Sequence, residues 1–142
     1  METLPYIDEH RQQIQASADA IWEGLLKVLR RQMSGSEQLA RLLGCDPAQG
    51  TAEFSGHVGE AVPGFRVTEV EPGRRLVLRG CHRFADYALT FVLDDEALHA
   101  QTHAAFPGFL GRLYRAAVIG SGGHRRVTRH LLRQVARAVN RV

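Results

Sequence analysis

The chain has few cysteines, no long apolar run and, over its last third, no acid at all. Only Cys45 and Cys81 are present, too few for a disulfide framework or a cysteine-based zinc site, so both are expected as reduced thiols. No apolar stretch approaches the ~20 residues that a membrane-spanning helix needs, which argues against membrane insertion. The opening METLPYIDEHRQQ does not set a basic segment before an apolar one, so no signal-peptide pattern is visible and the cytoplasm is the expected compartment. Residues 97–142 contain no Asp or Glu, and this decides the reading of a glycine-rich turn below.

At 142 residues, with 44% hydrophobic and 23% charged residues, the composition is that of an ordinary soluble globule, expected as one domain over residues 1–142. Charge is uneven. Residues 1–96 carry all 15 acids and 10 of the 18 Lys and Arg, whereas residues 97–142 carry eight arginines. Such a basic segment could meet nucleic acid. However, at about 100° per residue the arginines at 125, 126, 129, 133, 137 and 141 share one side of a helix. Val127, Leu131, Leu132, Val135 and Val139 share the other. The arginine face has no interleaved aromatics and no nucleic-acid motif, so the expectation is a solvated face and no nucleic-acid partner. His124 and Thr128 fall inside the apolar arc, so the buried face of this helix carries polar groups.

YRAAVIGSGGHRRVTRHLL has the look of a dinucleotide-binding turn, a β-branched run meeting glycines before a helix. That reading fails: a second strand and an acidic residue ~20 positions on are required, whereas only one helix without an acid follows, and Arg125 replaces the third glycine. The glycines are expected to free the backbone between two packed elements. No cofactor is expected. No metal is expected either, because none of the seven histidines forms an i, i+4 helical pair with an acid.

Along the chain, residues 8–16 read as a polar strand. A helix follows from the Ser17 cap to about Arg30, with Ile21, Trp22, Leu25, Val28 and Leu29 as its stripe. A second short helix is capped by Ser34 or Ser36 and ends at Gly44. TAEFSGHV, FRVTEV, RRLVLRGCHRF, DYALTFVL and ALHAQTHAAF then read as five antiparallel strands, with GEAVPG as a loop between the first two. Alternation puts Leu76, Leu78, Gly80 and His82, Tyr87, Leu89, Phe91 and Leu93, and Leu98, Ala100, Thr102, Ala104 and Phe106 on one face. That face mixes polar His82, Tyr87 and Thr102 with small Gly80, Ala100 and Ala104. Buried polar groups need partners, at ~1–3 kcal/mol for each one left without, and a ligand beside small residues would supply them.

HRQQIQASADAIWEGL and VTEVEPGRRLVLRG, together with the order strand, two helices, meander and long helix, resemble the START-like (SRPBCC) superfamily. This group includes polyketide cyclases, lipid-transfer domains and birch-pollen-allergen-like proteins. The resemblance spans essentially the whole chain. It implies an α+β helix-grip fold: a curved antiparallel sheet wrapped around the C-terminal helix, two short helices after the first strand, and a hydrophobic-ligand cavity between sheet and helix. The expected ligand-binding residues are His82, Tyr87, Leu89, Phe91, Thr102, Phe106, Phe109, Tyr114, His124 and Thr128. Phe106, Phe109, Leu110 and Tyr114 are expected at the apolar rim, and His82, Tyr87 and His124 to converge inside. The first functional expectation is a binder of a small aromatic or lipid-like molecule. The alternative is a cofactor-independent enzyme of the cyclase or dehydratase type, using His/Tyr acid–base chemistry. A third is an interaction protein using the arginine face. A homodimer is compatible with all three.

Overall fold

The computed structural model describes residues 4–34, 37–95 and 97–140. Strand β1 (Tyr6–Gln13) leads into helices α1 (Ala18–Ser34) and α2 (Glu37–Leu43). Strands β2 (Ala61–Val62), β3 (Phe65–Glu71), β4 (Arg75–His82), β5 (Ala85–Leu93) and β6 (Ala97–Ala105) follow. Helix α3 (Gly108–Arg115), a π-helical segment (Ala116–Gly120) and α4 (Gly123–Asn140) close the chain. The six strands form one curved antiparallel sheet in the order β1-β6-β5-β4-β3-β2. The α1–α2 excursion therefore carries the chain from one sheet edge to the other, while tight turns link the meander in sequence.

Local chemistry sets these elements. The Ser17 hydroxyl accepts the Ala20 amide at 3.2 Å, capping α1. Helix α2 ends in a Schellman pair, Gly44 N–H to the Arg41 carbonyl and Cys45 N–H to the Ala40 carbonyl. It turns through Gly44 at φ 73°, which a side chain would resist. Val62-Pro63-Gly64-Phe65 makes the β2–β3 turn, with Gly64 at φ 89° where a type II turn needs a glycine.

The core lies between the inner sheet face and the α1–α4 pair. Leu25 and Leu29 of α1, Leu76, Leu78, Phe91 and Leu98 of the sheet, and Leu132 and Val135 of α4 are all but fully buried in it. Gly24 marks where α1 and α4 cross: a Cβ there would stand 2.9 Å from Val139 Cγ2. Trp22 is half-buried and packs against this cluster.

Several expectations change. Residues 51–58 are turns and bends rather than a strand. Their apolar alternation mimics one, but the Glu60 carboxylate captures the Ser55 amide at 2.7 Å and the His57 amide at 3.3 Å, so these donors serve a loop. The first meander strand is instead Ala61–Val62, inside the segment expected as a loop. β1 begins two residues earlier than expected, and α1 continues through Ser34, so Ser34 is not the α2 cap. Ser36 lies outside the described residues. Val118 and Ile119, the β-branched run before the glycines, are helical, and Val127 is 68% exposed despite its place in the apolar arc.

Candidate ligand-binding cavity

Between the inner face of the sheet and the first half of α4 lies a cavity of about 490 Å³. Leu89 of β5 and Thr102 and Ala104 of β6 form its floor, and His124, Thr128 and Leu131 of α4 its roof. Leu39 and Leu43 of α2, the Pro63–Phe65 turn, Tyr114 of α3, and Val118 and Ile119 of the π-helical segment enclose the sides. The small Ala104 side chain leaves room beneath α4 where a larger one would fill it. Among the described residues, no Lys, Arg, Asp or Glu borders this space.

Its polar groups are held by the protein in specific ways. His82 Nδ1 accepts the Phe84 amide at 3.0 Å, so the neutral ring carries its proton on Nε2 and offers a donor there. Burial pushes His82 below the ordinary histidine value of 6.5, against a weaker opposing pull from Asp86. Its ring packs edge-on to Tyr114, with centroids 4.8 Å apart, and lies 5.5 Å from Tyr87. The Tyr87 hydroxyl donates to the Gly64 carbonyl at 2.7 Å, and Cys45 Sγ lies 3.8 Å away. Burial, then Cys45, drives the Tyr87 phenol far above its usual range. The same two causes raise Tyr114. His124 Nε2 sits 3.0 Å from Thr102 Oγ1 and 3.3 Å from Asp8 Oδ1, and Thr128 donates to the His124 carbonyl at 2.9 Å.

Of the residues singled out in the sequence, His82, Tyr87, Leu89, Thr102, Phe106, Tyr114, His124 and Thr128 border the cavity. Phe91 does not: it is 0% exposed, deeper in the core. Nor does Phe109, which is 73% exposed on the outer side of α3. Leu110 is also outward-facing, at 63%. Helix α3 turns its glycine inward instead, because a Cβ at Gly111 would stand 2.7 Å from the Phe106 backbone. Leu39, Leu43, Cys45, Phe65 and Ile119 were missed as wall residues. The apolar stripe of α2 was the available signal for the first two. Asp8, which holds His124, was missed as well.

No family model matches the chain, and no curated protein matches it. Solved structures do. Protein CV1439 from Chromobacterium violaceum aligns over 95% of this chain and 97% of its own, at 15% identity and TM-score 0.58. Protein MLL2253 from Mesorhizobium loti aligns over the same shares at 16% and 0.54. Ara h 8.0201 aligns over 93% and 95%, at 8% identity and TM-score 0.50. The chain has an α+β helix-grip fold. Within it, the cavity occupies the space between the gripping sheet and the long helix. Among the described residues no helix is long and apolar enough to cross a membrane, and no cluster of three His, Cys, Asp or Glu could hold a metal. Both cysteines are free.

The His82 environment sets a pH dependence. Its folded value lies below the 6.5 of an exposed ring, so between the two values the unfolded chain binds more protons than the folded one. Stability contributed at this site is therefore intact above about pH 6.5 and declines as pH falls through that window. Urea unfolding at a series of pH values should show part of this slope in the wild type and its loss in His82→Phe. Identical slopes would assign the effect to other groups.

Proposed function

We propose that the protein binds a small, uncharged, mainly hydrophobic molecule, aromatic or lipid-like, in the cavity beneath α4. The observation that carries this reading is a space of about 490 Å³ walled by Leu, Ile, Phe and Ala, without a formally charged side chain among its described lining residues. Enclosing apolar surface there gains about 25 cal/mol per Å², whereas an unpaired ligand charge would meet a large desolvation cost. The His82 Nε2–H and the Tyr114 hydroxyl offer polar contacts for one end of the molecule, so a carbonyl or hydroxyl at that end fits.

Neutral N-phenyl-1-naphthylamine, whose fluorescence rises in apolar surroundings, tests the reading. Saturable one-to-one binding is expected, with sharply weaker binding to Ala104→Trp, which fills the floor. Thermal melts of both proteins check that the filled variant folds. No saturable binding, or equal binding by a folded Ala104→Trp protein, would overturn it.

A further inference from the structure

Asp8 and Thr102 lie opposite each other across the β1–β6 pair, and both reach the same ring nitrogen of His124. The pairing depends on an irregularity in β1 between Tyr6 and Asp8, a bulge of the kind that re-aims side chains. Asp8 also receives His10 Nε2 on its second oxygen at 3.2 Å, and its side chain is 26% exposed. A carboxylate only accepts hydrogen bonds, so His124 Nε2 carries a proton and shares it between Asp8 Oδ1 and Thr102 Oγ1. In the neutral ring the lone pair is then on Nδ1, which makes no hydrogen bond to the described residues. The ring borders the cavity, so this lone pair belongs to an imidazole held from behind by an acid, beside an apolar space.

We infer that His124 is a general base for a neutral carbon acid bound in this cavity, with Asp8 and Thr102 as its positioning residues. The inference rests on the binding reading above and adds chemistry to it. The substrate class is an apolar molecule with a C–H bond beside a carbonyl. Nδ1 takes that proton, and the C–H electron pair moves into the carbonyl to give an enolate. Return of the proton from Nδ1–H to carbon, at the same or a conjugated position, completes an exchange or isomerisation with no other reactant. Asp8 stabilises the imidazolium that forms between the two transfers. Asp8 is the charged group in contact with His124 from β1, and His10 reaches Asp8 in turn. Thr102 touches the ring from β6, and the titratable Cys45, His82, Tyr87, Tyr114 and His130 border the same cavity.

Because the substrate is unidentified, the test uses 5-nitrobenzisoxazole, a neutral carbon acid. A base removes its ring C–H proton, the C–H pair forms the nitrile, the N–O bond breaks, and coloured 2-cyano-4-nitrophenolate leaves. The full-length protein should accelerate this above the rate of free imidazole at equal concentration, and N-phenyl-1-naphthylamine should inhibit it competitively. His124→Ala should lose ~10²-fold or more, a far larger change than in its affinity for the naphthylamine. Asp8→Asn should keep that binding and lower kcat ~10-fold or more at unchanged KM, whereas Asp8→Glu should recover part of the rate. The carboxylate that stabilises the imidazolium formed on proton removal is lost in the first and kept in the second. Should His124→Ala fail to fold, the Asp8→Asn and Asp8→Glu pair decides. Unchanged turnover in His124→Ala, unchanged turnover in Asp8→Asn, or no acceleration by protein that binds the naphthylamine would each overturn the base while leaving the binding reading standing. Failure to bind either compound would overturn both.

Discussion

Phe91→Ala should destabilise the protein by ~3–5 kcal/mol, as expected for loss of a fully enclosed aromatic ring, while leaving the cavity's affinity for N-phenyl-1-naphthylamine nearly unchanged per folded molecule. Phe91 is 0% exposed, paired with Leu76 on β4 and Ala100 on β6. It shares one buried cluster with Leu132 and Val135 of α4. Strand alternation sets it on the same face as Tyr87 and Leu89, but those two lie at the end covered by His124 and Thr128, where the interior is open. Urea unfolding gives the stability change as a shift in midpoint at constant slope, and fluorescence titration gives the affinity. A loss below ~1 kcal/mol would be too small for a filled core position. If it came with abolished binding, Phe91 would be a wall of the cavity after all.

That contrast marks how far the sequence could be read. Period-two alternation places side chains on one face or the other of β4, β5 and β6, because an antiparallel meander preserves it strand by strand. It does not say how far along the strands a cavity extends, since that depends on where the helix above changes from Leu132 and Val135 to Thr128 and His124. Alternation also misleads where a side chain captures the backbone. Ala52, Phe54 and Val58 have the spacing of a strand, yet Gly56 at φ 85° and the reach of Glu60 to two amides make a loop in which, of those three, Phe54 alone is buried. Asp8 was illegible for a different reason. Its partner His124 is 116 positions away, and the β1 irregularity that sets it opposite Thr102 leaves no mark in a polar strand. The wheel correctly turned His124 and Thr128 inward. It also turned Val127 inward, although that residue borders the cavity with its side chain largely exposed.

Gly80→Ala should damage stability and binding together, for a reason that lies in the backbone. A Cβ on Gly80 would fall on the Gly64 carbonyl oxygen and within 2.9 Å of Tyr87 Cε1. The Gly64 carbonyl cannot simply retreat. It accepts the Tyr87 hydroxyl at 2.7 Å, and the amide of the same residue donates to the Pro47 carbonyl at 2.7 Å. The added methyl must therefore displace the Pro63–Phe65 turn, which forms one side of the cavity, and leave the half-buried Tyr87 hydroxyl short of its acceptor. Overpacking of this kind costs ~1–3 kcal/mol and an unsatisfied buried hydroxyl a similar amount, so a combined loss above ~2 kcal/mol is expected, with weakened naphthylamine binding. Gly120→Ala is the matching control: nothing stands within 4 Å of a Cβ there and its φ is not positive. That helical substitution should change stability by no more than ~1 kcal/mol, in the favourable direction. A double-mutant cycle with Tyr87→Phe separates the two costs. Once the hydroxyl is gone, Gly80→Ala can no longer strand it, so the cycle should show a coupling of ~0.5–3 kcal/mol. Strict additivity would mean that Gly80 and Tyr87 act on the Gly64 carbonyl independently.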